Sequence, residues 1–506
     1  MPDNDNVENL ENLENLENLE NNLEDLSEQT RVRHGKLAEL VSGGRNPFLV
    51  TKFDVTSNAL KITENFESME GSDVKIAGRV MTRRDMGKAN FMNIADSTGN
   101  IQVYVRLNDI GEENFAQFKK WDIGDIAGVS GKVFRTRTGE ISVHADSVEL
   151  LAKSLIPLPE KFHGLRDVEM RYRQRYLDLI MNRDVKDMFV KKQVFWSTVR
   201  NFLSEKGFLE VETPVLEVTP GGAAATPFKT HHNALDIDVF LRISMGELWQ
   251  KKLLVAGFEK TFEIGRQFRN EGMSSEHLQD YTQMEFYWAY ADCRDGMGLV
   301  QELYRRITKA VTGGSKFVSH GFEIDMDTEW TVYDFEDTIK DRLGVGIYET
   351  TEDEMKTRLD LLGAAYDPKL TFWKLVDVLW KAVRKDLAGP GFLVGQPVQL
   401  NPLPKRLKED PRKVDQIQVI IAGSELGNGY AELNDPLDLE NRFREQRTMK
   451  ESGDSEAHNH DQDFIDALKY GMPPAFGFGL SERLFSFMMD KSIRECVLFP
   501  LMRPDK

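Results

Sequence analysis

The 506-residue chain has almost no cysteine: Cys293 and Cys496 are its only two, and they form no CxxC pair. That excludes a disulfide framework and a cysteine-built zinc site, and a reducing, cytoplasmic setting is expected. No run of eighteen apolar residues occurs, which excludes a helical membrane span. No basic stretch leads into an apolar one near Met1, so no secretory signal is expected. Positive charge is in short supply: 65 Lys and Arg stand against 83 Asp and Glu, for a formal net charge of −18. A global basic field for nucleic acid is thereby excluded, and any RNA contact must rest on local patches.

What is present divides into segments. Residues 1–28 hold Asp3, Asp5, Glu8, Glu11, Glu14, Glu17, Glu20, Glu24, Asp25 and Glu28 and no Lys or Arg, with Glu-Asn-Leu repeated over 8–20. Leucine every third residue drifts around a 3.6-residue helix and makes no stripe, so 1–26 read as an acidic low-complexity tail, expected to be disordered. A hydrophobic content of 40% suits globular packing, and the length exceeds one ordinary core, so two or three domains are expected. A helix is expected over 27–40. Over 74–150 the runs VKIAGRV, FMNIADSTG, IQVYVRL, DIAGVSGKV and EISVHADSVEL read as short strands, with a helix near 112–120. That pattern suits an OB-fold β-barrel, whose open face binds single-stranded nucleic acid. Arg83, Arg84, Arg135 and Arg137 would give it local positive charge. Phe91 is either a base-stacking ring or core; alternation does not choose. Residues 27–154 thus form a first domain, 155–170 a linker with Pro157 and Pro159, and 171–506 a mixed helix-and-strand domain. Long helices are expected at 184–206 and 295–313 and an amphipathic one at 370–387, within a stretch (316–405) poorer in chemical signals.

Three segments of the second domain carry chemistry. FEIGRQFRNEGMSSEHLQDYTQMEFYWAYAD (262–292) reads as two strands and a polar loop. Arg269 and Glu271, two apart on the first strand, would share a face, and Glu285 and Tyr287 alternate with Met284 and Phe286 on the second. Arginine is the preferred planar donor to phosphate, and a nearby carboxylate can accept from an exocyclic amine. His277 and Tyr281 in the loop could lie against a purine. The bland alternative is an amphipathic hairpin with its polar face in water. AGSELGNGYAELND (422–435) puts Asn428 and Glu432 on one face, and Glu425 suits Mg²⁺, which takes one or two carboxylates plus phosphate oxygens. AFGFGLSER (475–483) runs from a glycine-rich strand into a helix with Arg483 in its first turn, near the end that favours phosphate. Each of the last two alone could be no more than a strand or a strand–helix turn.

Together these segments resemble the motifs of class II aminoacyl-tRNA synthetases, specifically the lysyl-tRNA synthetase family. Motif 1 would be GFLEVETPVL (207–216), motif 2 FRNE (268–271) and motif 3 GFGLSER (477–483). PGGAAATPFKTHHNALD (220–236), MEFYWAYAD (284–292) and GNGYAELND (427–435) match lysine-type signatures, and GRVMTRRDMGKANF (78–91) resembles the family's anticodon-binding barrel. The resemblance runs from about Ser27 to Pro504. It implies an α+β fold: an antiparallel catalytic sheet flanked by helices, preceded by an OB-fold anticodon-binding barrel. It also implies a homodimer built partly through motif 1, with ATP, L-lysine and tRNA(Lys) as partners.

Carried over, Arg269 would hold the ATP α-phosphate, Glu271 the adenine amine, Tyr281 the adenine ring and Arg483 the γ-phosphate, with His277 near the phosphates. Glu247 would hold the lysine α-ammonium. Glu285, Tyr287 and Glu432 would hold its ε-ammonium, with Asn428 near its carboxylate. Phe91, Gln102 and Glu140 would read anticodon bases. The sequence departs from the family pattern at Gln418, where a second metal carboxylate is usual; in RISMGE (242–247) and GLSER (479–483), each one residue longer than the usual segment; and at Glu276, in place of a basic residue. Two other readings stay open: an aspartate- or asparagine-specific relative, against which Glu285 and Glu432 argue, and a non-catalytic RNA-binding paralogue.

Overall fold

Alternation with period two builds the barrel and the main sheet of this protein. The computed structural model describes residues 27–159 and 167–504, apart from 224, 402 and 452–460, and no side chain at 443 or 445–451. The expected tail at 1–26 lies outside the described residues. The described residues fall into two compact units, divided between residues 166 and 167.

In the first unit a helix spans Glu28–Ser42, its first turn capped by Ser27. Strands β1 (Asp73–Asp85), β2 (Ala89–Ala95), β3 (Asn100–Arg106), β4 (Ile126–Arg135) and β5 (Ile141–Ala152) close into a barrel in the order β1-β2-β3-β5-β4. This is the expected OB-fold. Alternate residues such as Ile76, Met92, Ile94, Val103, Val129 and Val143 fill its interior, and Phe115 and Phe118 of the helix Glu112–Phe118 join that core. Phe91 lies on the outward face, its ring 4.7 Å from that of Tyr104, and takes no part in the core. Two of the four arginines expected to give the barrel local positive charge also pack onto it. Arg83 donates to the Trp121 carbonyl (2.7 Å) and covers the Phe118 ring. Arg135 pairs with Glu67 and covers Phe66. Their stems lie over apolar rings while the charged heads are retained.

The second unit opens with a helix at Val168–Arg173, which begins within the last residues of the stretch read as linker. Its strands are β6 (Leu209–Glu210), β7 (Leu216–Glu217), β8 (Lys229–His232), β9 (Ile237–Leu241), β10 (Lys260–Phe268), β11 (Asp280–Ala289), β12 (Lys316–Ser319), β13 (Phe322–Asp325), β14 (Thr331–Asp334), β15 (Gly391–Val394), β16 (Gln416–Ile421), β17 (Ser424–Ala431) and β18 (Ala475–Ser481). The main sheet has the order β14-β15-β16-β17-β18-β11-β10-β6. Its centre is antiparallel, and only the outermost pairs, β14 with β15 and β6 with β10, are parallel. One face is covered by the helices Arg183–Glu205 and Cys293–Thr312. Their apolar stripes (Phe195, Val199, Phe202; Leu299, Leu303, Ile307) recur at helical spacing and form one core with Phe286, Phe476 and Phe478. The 316–405 stretch adds three helices with a core of their own, around Phe335, Leu375, Leu379 and Trp380.

Candidate active site

The sheet face opposite those helices carries the site. Register fixes what stands side by side: Gln418, Asn428, Gly479 and Glu285 form one cross-strand row, and Gln416, Tyr430, Gly477 and Tyr287 the next. The solvated-hairpin alternative fails here, because Glu285 and Tyr287 are 7% and 3% exposed. Small residues on β18 make the floor. A Cβ on Gly477 would sit 2.1 Å from Glu432 Oε1 and 2.8 Å from the Tyr287 ring, so only glycine lets those groups close over the strand. The helix Glu247–Val255 brings in Glu247. It starts from Gly246 at φ 67°, where a side chain would meet Thr213 Oγ1 at 2.2 Å.

Arg269, Tyr281, Glu247, Glu285, Tyr287, Glu425, Asn428, Glu432 and Arg483 all line one cavity of about 460 Å³. Two expected site residues do not. Glu271 and His277 lie on the β10–β11 loop outside the lining, with Glu271 accepting from the Thr226 amide (3.3 Å) and His277 Nδ1 2.8 Å from Ser274 Oγ. The strand ends at Phe268, so Arg269 and Glu271 follow β10 and do not share its face by alternation.

One end of the cavity is anionic. Glu285 accepts from the Met245 amide (3.2 Å), from Gln283 (2.5 Å) and from Tyr287 Oη (3.0 Å). Glu247 Oε1 accepts from Tyr430 Oη (2.7 Å) and from Lys251 Nζ (2.7 Å), and Lys251 Nζ lies 2.6 Å from Glu432 Oε2. Glu432 is therefore paired within the protein, where the sequence reading left it open for a ligand. Burial pushes the Glu285 carboxyl up to about 7, and the charge of Glu247 adds to that. Burial also pushes Glu432 up to about 8, with Lys251 opposing and Glu247 and Glu285 reinforcing. For Lys251, burial favours the neutral amine, yet the charges of Glu247 and Glu432 outweigh it and hold the ammonium above its ordinary range.

The other end is cationic. Arg269 sits over Tyr281, 5.8 Å from the ring centroid, and donates to the Ile243 carbonyl (3.3 Å). Arg483 is the first residue of the helix Arg483–Met488, donates to the Glu425 carbonyl (3.3 Å) and pairs with Glu276. Burial lowers Arg483 to about 10, which leaves it a cation at neutral pH. Glu425 accepts from Trp380 Nε1 (2.7 Å), with Arg384 Nε 3.5 Å away. The buried Gln418 Oε1 lines the same cavity with no protein partner among the described residues. No cluster of three or more His, Cys, Asp or Glu suited to a metal occurs among the described residues. A carboxylate plus one orphaned amide oxygen fits a hard cation held mostly by phosphate oxygens.

On the barrel, Gln102 Oε1 accepts from Ser142 Oγ (2.9 Å), and Glu140 is exposed just before β5. Phe91 belongs to an outward aromatic group with Tyr104, Phe134 and His144. Sequence reasoning missed the last three, although their alternation with buried Val103, Val133 and Val143 marks them. It also missed Lys251, Tyr430 and Gln283. Tyr430 stands between Asn428 and Glu432 on the same strand face, and Lys251 follows Glu247 by one helical turn.

Comparison with known proteins agrees with this geometry. The model of the family described as tRNA synthetases class II (D, K and N) matches residues 167–503, and that of the OB-fold nucleic acid binding domain matches 74–151. The chain belongs to the class II tRNA synthetases of that group. A lysine–tRNA ligase of Pelotomaculum thermopropionicum is 49% identical over 487 residues, covering 95% of this chain and 96% of the relative. Those of Staphylococcus saprophyticus (44%; 95% and 99% covered) and a Thermoanaerobacter species (45%; 96% and 97%) are similar along the same length. Within the class, the chain belongs to the lysine–tRNA ligase family.

Proposed function

We infer that this protein is a lysine–tRNA ligase that activates L-lysine with ATP and transfers it to the 3′ end of tRNA(Lys). The observation that carries the reading is one cavity with three buried carboxylates, Glu247, Glu285 and Glu432, at one end and two arginines, Arg269 and Arg483, at the other. A buried ammonium is costly without hydrogen-bonded anionic partners, so such an end selects a cationic substrate and rejects neutral or acidic side chains. Glu247 receives the α-ammonium. Glu285, Glu432 and Tyr287 receive the ε-ammonium, and Asn428 lies by the carboxylate. Arg269 takes the α-phosphate, Arg483 the γ-phosphate, and Tyr281 the adenine ring. Glu271 and His277 close over the nucleotide from the loop.

The lysine carboxylate is already ionised and attacks the α-phosphorus; the bond to the bridging oxygen breaks and pyrophosphate leaves with the electron pair. A ribose hydroxyl of the tRNA then attacks the lysyl carbonyl carbon, giving the ester and AMP. No general base is needed in the first step, and the chain contributes positioning and charge stabilisation. Mg²⁺, held by Glu425 with Gln418 Oε1 alongside, would supply further charge neutralisation on the phosphates when bound. The aromatic face of the barrel, with Phe91, Gln102 and Glu140, suits unstacked anticodon bases. Exposed apolar residues on the small sheet β7-β9-β8 and its flanks (Val215, Leu216, Val218, Leu235, Ile237) support a homodimer through motif 1. Two buried thiols suit a reducing cytoplasm. The retained arginines and Glu425 favour this reading over a non-catalytic paralogue. Lysine-dependent exchange of pyrophosphate into ATP tests it.

A further inference from the structure

Lys251 is 2% exposed, in the wall of the substrate pocket. Its Nζ lies 2.7 Å from Glu247 Oε1 and 2.6 Å from Glu432 Oε2, and the rings of Tyr287, Tyr430 and Phe464 surround it at 5.6 to 6.0 Å from their centroids. We propose that Lys251 is a specificity-determining positioning residue: its ammonium is the resident counter-ion that fixes Glu247 and Glu432 and sets the charge the pocket offers a substrate. This rests on the lysine reading of the same pocket.

Three carboxylates ionised together in one dry pocket repel, and like charges at such range take up protons instead. One internal ammonium shared by two of them offsets part of that repulsion, and once bound ammonium groups favour ionisation of all three, two negative charges remain for the substrate to meet. An L-lysine brings two ammonium groups to meet those two charges, with its carboxylate by Asn428 toward the nucleotide end. An amino acid whose only cationic group is its α-ammonium leaves a buried negative charge unpaired, which is the costly case. Lys251 also engages only one oxygen of Glu247 and one of Glu432, so each carboxylate keeps an oxygen for the substrate. Because both its neighbours are acids, Lys251 does not offer a cation to a substrate carboxylate, which argues against aspartate. The charged and titratable groups around it are Glu247 on its own helix, Glu285 and Tyr287 on β11, Tyr430 on β17, Glu432 just beyond, and Lys405, which senses the charge of Glu432.

Removing the ammonium makes Glu432 harder to ionise, and each proton that lysine must displace weakens its binding at neutral pH. The test is lysine-dependent pyrophosphate exchange by Lys251→Met and the wild type at pH 7 and pH 9. The lysine KM of the variant rises at least about tenfold at pH 7, from loss of charge-assisted contacts, while kcat changes less. The ratio of variant to wild-type KM narrows toward pH 9. An unchanged KM, or a loss equal at both pH values and shared by kcat, overturns the proposal. Should Lys251→Met show no cooperative melt, the wild type labelled with ¹⁵N at lysine Nζ gives the reading. One ammonium shielded from solvent exchange, whose signal moves when unlabelled lysine is added, is expected; its absence overturns the proposal. If the wild type itself shows no lysine-dependent exchange, the lysine reading of the pocket fails, whatever the variant does.

Discussion

The guanidinium of Arg483 is ion-paired with the carboxylate of Glu276, so the arginine proposed for the γ-phosphate is already held by an acid of the β10–β11 loop. Ser424 Oγ, 3.4 Å from the same carboxylate, adds to the clasp. ATP must break this pair to reach Arg483. Its cost therefore enters the affinity for ATP without entering the chemical step. Glu276→Gln should lower the KM for ATP by about two- to tenfold, the range of one partly exposed charge pair. Its kcat for exchange should stay near that of the wild type. An unchanged or raised KM for ATP counts against the clasp.

The period-two pattern of 284–289 already placed Glu285 and Tyr287 on one face with Met284 and Phe286 on the other, and the structure keeps that division. The barrel strands were legible for the same reason. What local periodicity could not convey is pairing between distant segments. Glu276 meets Arg483, Trp380 meets Glu425, and Lys251 meets Glu432 only because the sheet order brings β11, β17 and β18 together. Burial was equally hidden: a row of Glu, Tyr and Gln reads as solvent-facing until the helix carrying Glu247 closes over it. Arg269 was misassigned to the strand because a loop residue next to a strand end continues the alternation on paper.

Glu285 gives a pH-dependent prediction. Its carboxyl is raised from an ordinary 4.5 to about 7 in the folded protein. A group whose folded value is raised binds its proton more tightly when folded, so its contribution to stability is present at low pH and is lost as pH climbs through about 4.5 to 7. Wild-type melting temperature should fall relative to that of Glu285→Gln between pH 4.5 and 7.5, and lysine should protect the wild type more at pH 7.5 than at pH 5.5. Parallel melting curves for the two proteins across that range would show that Glu285 is ionised normally. In the same variant lysine activation should weaken at least about tenfold, since a charge-assisted contact is lost.

Gly477 tests the floor of the pocket. An added methyl lands on Glu432 and the Tyr287 ring. Gly477→Ala should cost about 1–3 kcal/mol of stability from overpacking, and displacement of the substrate should reduce lysine-dependent exchange by about a hundredfold. ATP binding, read by ligand-induced thermal shift, should persist. Wild-type exchange in the variant would mean that this strand does not form the substrate floor.

The barrel is tested separately. Phe91→Ala should weaken charging of tRNA by about five- to a hundredfold, the range for losing one base–aromatic stack, while leaving amino-acid activation intact. Equal losses in both assays would mean that the ring supports the fold and not the anticodon.

The central claim is that the carboxylate-lined end of the cavity selects lysine for activation. Pyrophosphate exchange measured in parallel with lysine, aspartate and asparagine, followed by charging of a tRNA bearing a UUU or CUU anticodon, addresses it most directly. Exchange should depend on lysine and be at least about 10⁴-fold weaker with the other two amino acids, and lysine should become esterified to that tRNA. Exchange supported by aspartate or asparagine, or none with any of the three, would contradict it.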